Sequence, residues 1–200
     1  LIGLIARVFI WSTRPKDLKW TLFPCPESPP EQISYIAREV MTFACLFKHN
    51  RKLWYGSFFF HISIAMTLLW FILFILGVNI HPLGVAAPAL MIISCAYIIL
   101  IRIGSREMQV VSSPVDIFNL LLFSGFALTA LIALSQTDLP EMREYFLALI
   151  TFRTAPHPSD CVFFYNIILA EIILIYLPFT KMTHFISKYF AFHKINWEHH

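Results

Sequence analysis

Residues 53–78 read LWYGSFFFHISIAMTLLWFILFILGV, and this stretch decides the fold class. It contains no Asp, Glu, Lys or Arg, and it exceeds the ~20 apolar residues that a helix needs to cross a bilayer. Residues 85–103, 115–134 and 162–180 are apolar runs of similar length. Because lipid offers backbone groups no hydrogen-bond partner outside their own helix, each run is predicted to be a transmembrane α-helix.

The composition of the whole chain supports this class. Of 200 residues, 58% are hydrophobic and only 14% are charged, which excludes a water-soluble globular domain. The formal charge of +3 is too small to indicate nucleic-acid binding. The four cysteines (Cys25, Cys45, Cys95 and Cys161) form no closely spaced pair, so this chain by itself predicts neither a zinc site nor an iron–sulfur site.

A further apolar stretch, residues 1–11, is too short to span a membrane unless it is the end of a helix whose start is missing. The chain also begins with Leu1, which suggests a processed or incompletely observed protein. The predicted fold is therefore an all-α integral membrane bundle of about five transmembrane helices, with the first one incomplete.

Charge predicts the orientation of this bundle. Most of the Lys and Arg residues fall in residues 13–52, in the turn after the third span and in the C-terminal tail, so these segments are predicted to be cytoplasmic. The opposite side holds the short turn at 79–82 and the loop at 135–161. The N-terminus is then outside, the C-terminus is cytoplasmic, and the chain is a multi-pass protein of the cytoplasmic (inner) membrane.

We expect residues 1–200 to form a single membrane domain with two ordered segments outside the bilayer. The cytoplasmic segment 13–52 combines a proline-rich, extended linker (Pro24, Pro26, Pro29 and Pro30) with a surface helix at 31–47 whose apolar residues have helical spacing. This helix either lies flat on the membrane or packs on the protein's own spans, and in both cases it offers a platform for a soluble partner. The outer loop 135–161 is predicted to hold a short helix at 141–150.

Polar residues within the spans are the main functional candidates, because they are costly in lipid. His61 lies about two turns into the second span, and His184 just follows the last one. The two helices run in opposite directions, so both histidines reach the cytoplasmic leaflet, where two imidazoles can ligate the iron of a b-type haem. Alternatively, His61 bonds a neighbouring helix and His184 is an ordinary interfacial residue. Glu171, in mid-span, either binds a quinone, carries protons or bonds another helix. Asp116 is expected to begin a helix.

Several motifs resemble a known family of membrane cytochromes. They are Ile5–Ser12 (IARVFIWS), Ala37–Val40 (AREV), Leu46–Lys48 (LFK), Ser113–Asp116 (SPVD), Thr151–Phe152 and, as the most specific, Tyr176–His184 (YLPFTKMTH). Together they resemble the cytochrome b (gamma) subunit of respiratory nitrate reductase. The chain is still more similar to the haem membrane subunit of the Dsr complex and to the corresponding haem subunit of membrane-bound heterodisulfide reductase. The resemblance covers most of the chain.

The resemblance implies which haem ligands are kept. The family's usual pattern has two histidine ligands in the second span and two in the last; His61 and His184 match one of each pair, and the other two positions hold Phe71 and Asn166. Both missing ligands belong to the haem nearer the outer face. The resemblance therefore implies one haem b on the cytoplasmic side, with its iron held by His61 and His184. On a continuous last helix, Asn166 and His184 would share one face, because they are separated by a whole number of turns.

The implied function is electron transfer between the menaquinone pool and iron–sulfur clusters of a cytoplasmic partner subunit, as in a heterodisulfide reductase-like or related complex. Such a chain is the electron-transfer subunit of a quinone-linked oxidoreductase and has no catalytic residues of its own. Arg102 and Arg106 are candidates to pair with haem propionates or are plain positive-inside residues. Glu171 and Asn166 are the candidates to line a quinone site. The alternatives are a non-redox membrane anchor or assembly subunit and a small transporter, although no internal repeat supports a transporter.

Overall fold

The computed structural model describes residues 2–13, 28–154 and 160–184, and every regular element within these ranges is helical. The helices in chain order are α1 (Ile2–Thr13), α2 (Pro29–Thr42), α3 (Ala44–His49), α4 (Arg51–Ile75), α5 (His81–Gly104), α6 (Arg106–Val111), α7 (Pro114–Gln136), α8 (Leu139–Ile150) and α9 (Cys161–Tyr176). Two 3₁₀ turns, Leu177–Phe179 and Lys181–Thr183, follow α9. Residues Asn50–Ile173 form one compact unit, and the described residues before and after them form another.

Four helical segments are long and apolar enough to cross a membrane. They are α4, α5, α7 and the segment Cys161–Phe179, which joins α9 to the first 3₁₀ turn. The four predicted spans are thus confirmed as helices, and their ends differ from the predicted ends by a few residues. Helix α1 has only 12 residues, so a fifth span and the orientation of the bundle stay predictions.

The spans of the unit Asn50–Ile173 pack antiparallel to their neighbours. Helix α4 contacts α5 along its length, from Gly56 beside Ile98 to Trp70 beside Gly84. At the other side of α5, α7 returns in the opposite direction, and α9 in turn runs antiparallel to α7. One end of this unit holds Arg51 and is called the Arg51 end below; the opposite end, near α8, is called the α8 end.

Two glycines allow α4 and α5 to approach closely. A Cβ atom added at Gly56 would lie 2.6 Å from Cγ1 of Ile98, and one added at Gly84 would lie 2.6 Å from Nε1 of Trp70. Both distances are shorter than ordinary contacts of a Cβ atom, so a larger residue at either position would force the neighbouring side chain to move. The small residues thus act as in other membrane helix pairs, where close backbone approach replaces the hydrophobic driving force that lipid lacks.

Polar side chains cap the starts of two spans. The side-chain Oδ1 of Asn50 accepts the N–H of Leu53 (3.0 Å) at the start of α4, and a carboxyl oxygen of Asp116 accepts the N–H of Ser113 (2.9 Å) at the start of α7. Such caps satisfy N–H groups that have no partner within the helix. The prediction that Asp116 begins a helix is therefore confirmed.

Asp160 caps α9 and ties it to the end of α7. Its carboxylate accepts the N–H groups of Val162 (2.9 Å) and Phe163 (3.2 Å) and the hydroxyl of Thr137 (2.9 Å). These hydrogen bonds, with that of Val162 the strongest influence, lower the pKa of Asp160 below its ordinary value of 3.8.

Two buried clusters form the core of this unit. The cluster at the α8 end consists of Phe74, Ala133, Met142, Phe163 and Ile167. The second, between α4, α5 and α7, has its buried members on α5 and α7: Met91, Cys95, Ile98, Leu120 and Ala127. The predicted short helix at 141–150 is confirmed as α8, and its Met142 belongs to the first cluster.

The other unit corrects the prediction for the segment 13–52, of which residues 14–27 with Pro24 and Pro26 lie outside the described part. Pro29 and Pro30 do not continue a linker; they form the first turn of α2, where a missing N–H costs nothing. The predicted helix 31–47 is also broken, because Phe43 adopts a left-handed conformation (φ 50°) and separates α2 from α3. The buried carboxylate of Glu39 stabilises this break by accepting the N–H of Cys45 at 3.0 Å.

Candidate functional site

His61 lies near the middle of α4 with its ring fixed by the helix itself. Its Nδ1 lies 2.6 Å from the carbonyl oxygen of Ser57, one turn earlier. A carbonyl oxygen only accepts hydrogen bonds, so Nδ1 is the donor in this contact. A neutral ring with its proton on Nδ1 has its lone pair on Nε2. This arrangement is the usual one for a histidine that ligates a metal through Nε2, because the backbone bond orients the ring.

The ring of His61 lies on the side of α4 that faces away from α5. Gly56 and Ser63 are buried against α5, and at ~100° per residue His61 lies roughly 140–160° around the helix from them. The neighbourhood is aromatic: Phe60 meets His61 edge to face at 5.5 Å between ring centroids, and Phe58 stacks on Trp54 at 4.8 Å. The side chain of His61 is partly exposed on this face. Of these rings, Phe60 is in direct contact with His61.

His184 belongs to the other unit, so the predicted pairing of His61 with His184 stays a prediction. His184 is exposed and is the last described residue. The expectation that Asn166 and His184 share one face of a continuous helix is wrong, because α9 ends at Tyr176 and two 3₁₀ turns with an extended Thr180 between them follow. Pro178 explains the change, since it has no N–H for an α-helical bond.

Arg102, at the end of α5, is held by the start of α7. Its Nη1 donates to the hydroxyl of Ser112 (2.8 Å) and lies 3.7 Å from a carboxyl oxygen of Asp116, with both charged side chains about four-fifths buried (20% and 17% exposed). The Nε of Arg102 is buried and has no hydrogen-bond partner among the described residues. Arg106 begins α6 and is exposed. Of the two predicted propionate partners, Arg102 is thus already paired with a carboxylate, whereas Arg106 projects from the same end of the unit.

Asn166 joins two spans. Its Nδ2 donates to the carbonyl oxygen of Phe126 (2.8 Å) and to the hydroxyl of Thr129 (2.9 Å), both on α7. The hydroxyl of Thr129 in turn donates within α7, to the carbonyl oxygen of Gly125 at 3.0 Å. The amide therefore acts as a cross-link between α9 and α7 at the position where the resemblance expects a lost haem ligand.

Glu171 lies in the middle of the span Cys161–Phe179, and its side chain is exposed. It is on the same helix as Asn166 but on a different face, since Asn166 is directed towards α7. The structure therefore does not bring the two predicted quinone-site residues together through a common contact.

Aromatic rings fill the space around Phe71 at the α8 end. Phe71 meets Phe146 edge to face (5.0 Å between centroids), Phe146 meets Phe163 (5.6 Å), and Tyr145 meets Phe163 (5.5 Å). Phe163 belongs to the buried cluster of the α8 end, and Tyr145 and Phe146 pack against that cluster. Tyr145, Phe146 and Phe163 from α8 and α9 thus occupy the region next to Phe71. Phe71 is the position in α4 at which the resemblance expects a second histidine.

Arg143 of α8 is an important residue that the sequence places only in the outer loop. Its guanidinium donates to the carbonyl oxygens of Phe74 (3.2 Å) and Ile75 (3.0 and 3.2 Å) and lies against Gly77, whose φ is +87°. A cation at a helix C-terminus satisfies the last carbonyls and interacts favourably with the helix dipole. The only sequence signal is a basic residue in a short helix, and nothing in the spacing connects it to the end of α4.

Comparison with known proteins adds no relative. No family model, curated protein or solved structure matches this chain.

Proposed function

We propose that this chain is the haem b membrane subunit of a respiratory complex. It transfers electrons between the menaquinone pool and iron–sulfur clusters of a cytoplasmic partner subunit, which the resemblance favours as heterodisulfide reductase-like. The observation that carries the proposal is the hydrogen bond from Nδ1 of His61 to the carbonyl oxygen of Ser57, which prepares Nε2 as a ligand inside a membrane-spanning helix.

The residues of this chain that would hold one haem b are His61 and His184. Two neutral imidazoles suit low-spin haem iron, and the group, when bound, supplies reversible one-electron transfer. The carbonyl of Ser57 orients the His61 ring, and Phe60 meets that ring edge to face. Arg106 is the better candidate to bind a propionate, since Arg102 is engaged by Asp116.

The distribution of charge supports a cytoplasmic Arg51 end. Among the basic residues of the unit Asn50–Ile173, Arg51, Lys52, Arg102 and Arg106 lie at the Arg51 end, and Arg143 and Arg153 lie at the α8 end. The positive-inside rule then assigns the Arg51 end to the cytoplasm, where an iron–sulfur partner would dock. In this orientation the N-terminus is outside and the C-terminus is cytoplasmic.

Glu171 is the better of the two candidates for a quinone site. A quinone arrives from the lipid, and the carboxyl group of Glu171 is exposed in mid-span, whereas the N–H groups of Asn166 already donate to α7. Asn166 and the aromatic rings around Phe71 instead support the loss of the second haem, because side chains of this chain use that region for packing.

Haem content per chain tests the proposal. A pyridine haemochrome assay and a reduced-minus-oxidised spectrum on the purified complex, corrected for haem in other subunits, are expected to give one haem b. His61→Ala and His184→Ala are each expected to remove it. His81→Ala, which changes an exposed histidine at the start of α5, is the matched control and should leave the haem in place.

Two results would contradict the proposal. Full haem content in His184→Ala would show that the second ligand is another residue. A parent chain without haem would leave the alternative function, a non-redox membrane anchor of such a complex.

A further inference from the structure

Helix α2 carries an apolar stripe that the protein itself leaves exposed. The side chains of Ile33, Val40 and Met41 are 69%, 41% and 72% exposed, and they lie within an arc of ~100° because Val40 and Met41 follow Ile33 by seven and eight residues. Arg38 and Thr42, which lie ~140° and ~180° around the helix from Ile33, are also exposed. A soluble helix would expose its polar side and bury this stripe, so the stripe indicates a surface that something else covers.

The chain continues from α2 directly into a membrane span. Only Phe43 separates α2 from α3, and only Asn50 separates α3 from α4, the span that begins at Arg51. The turn at Phe43 is fixed, because its N–H bonds the carbonyl of Glu39 and the Glu39 carboxylate binds the N–H of Cys45. The apolar stripe is therefore tethered by one short helix to the surface at which α4 enters the bilayer.

The connecting segment is basic. Lys48 and His49 end α3, Arg51 and Lys52 begin α4, and all four side chains are exposed. A run of cations next to the start of a membrane span is attracted to anionic lipid headgroups. A large apolar face, low overall hydrophobicity and neighbouring basic residues together describe a helix that lies in the plane of a membrane interface.

We propose that α2 is an interfacial anchor whose Ile33–Met41 stripe inserts into the anionic headgroup layer of the leaflet next to Arg51. This role is independent of haem binding and goes beyond the proposed electron transfer. The alternative occupant, the surface of a soluble partner subunit, is an outcome of the test below.

Spin-label accessibility on the full chain tests this. In a background with the four cysteines replaced, a nitroxide is placed at position 33 or 41 on the stripe, or at position 38 or 42 as matched controls on the same helix. The protein is studied in nanodiscs of zwitterionic lipid, in nanodiscs that also contain anionic lipid, and in native membranes. Collision with oxygen, which concentrates in hydrocarbon, is compared with collision with a water-soluble nickel chelate.

Labels at 33 and 41 are expected to collide more with oxygen than with nickel, and labels at 38 and 42 to show the reverse. The contrast should increase when anionic lipid is added, and Lys48→Gln with His49→Gln should abolish this increase. Met41→Glu should lower the oxygen collisions of the label at 33. Equal nickel access at all four positions would overturn the proposal, as would stripe labels that are shielded from both reagents in native membranes, since a protein surface would then cover them. A contrast that does not respond to anionic lipid would overturn its electrostatic part.

Discussion

The cross-link made by Asn166 leads to a quantitative prediction for the stability of the membrane bundle. Replacing Asn166 with Leu keeps a similar volume but removes both hydrogen bonds to α7, to Phe126 (2.8 Å) and to Thr129 (2.9 Å). Hydrogen bonds between membrane helices contribute on average ~0.6 and at most about 1.7 kcal/mol each. Asn166→Leu is therefore expected to lower the free energy of unfolding by about 1–3 kcal/mol.

A double-mutant cycle separates the cross-link from general effects of the substitution. Thr129→Val removes one of the two acceptors and is expected to cost about 1 kcal/mol. The cost of the double variant should be smaller than the sum of the two single costs by about 0.5–1.5 kcal/mol, because the bond between the two side chains is lost only once. The free energies are measured by reversible unfolding in mixed micelles as the fraction of denaturing detergent rises.

Tyr165→Phe is the control on the same helix, since its side chain is exposed and the change removes only a hydroxyl. It should leave the free energy of unfolding within about 0.5 kcal/mol of the parent. Strict additivity of Asn166→Leu and Thr129→Val would refute the reasoning, because it would mean that the two side chains do not interact in the membrane.

The same unfolding assay tests three further sites. Arg143→Met should lower the free energy of unfolding by about 2–3 kcal/mol, because it removes charged hydrogen bonds to the end of α4. Arg153 is exposed, and Arg153→Met should leave the free energy of unfolding unchanged. Equal effects of the two substitutions would contradict the capping role of Arg143. Gly56→Ala should cost about 1–3 kcal/mol by overpacking against α5, while Gly125→Ala, which meets no atom within 4 Å, should cost nothing or stabilise α7. Asp160 contributes stability that is present above its ordinary pKa of 3.8 and is lost as pH falls through its lower folded pKa. On acidification below pH 3.8, the parent should therefore lose stability more steeply than Asp160→Asn. Parallel pH profiles of the two proteins would contradict this.

Part of the candidate site is visible in the sequence because its signals are local. A histidine within an uncharged run, such as His61, is unusual enough to be noticed, and its bond to Ser57 lies within one helical turn. The partner of His61 is a long-range question. His184 follows a helix break caused by Pro178, and it belongs to a different unit, so the geometry of a ligand pair does not follow from counting turns.

The residues whose contacts differ from the sequence prediction all depend on distant segments. The sequence suggests Asn166 as a missing ligand or a quinone contact, yet its amide bonds a helix some 40 positions earlier in the chain. It suggests Arg102 as a propionate partner, yet Asp116 holds that side chain. Arg143 carries no local signal, although it caps a helix that ends 68 positions before it. No spacing rule predicts such pairs, because they depend on which faces of the helices meet.

The sequence by itself determined four helices that are long and apolar enough to cross a membrane, because the length of an uncharged apolar run is a local property and lipid permits few other structures. The fifth span that it predicts at residues 1–11 stays a prediction. It also predicted the start of α7, where the carboxylate of Asp116 acts within three residues. Only the tertiary structure decided that two glycines let α4 and α5 touch, that Asn166 and Arg143 join separate helices, and that the stripe of α2 stays exposed. The physical reason is that polar groups in a bilayer must find partners within the protein, and those partners are brought near only when the helices pack.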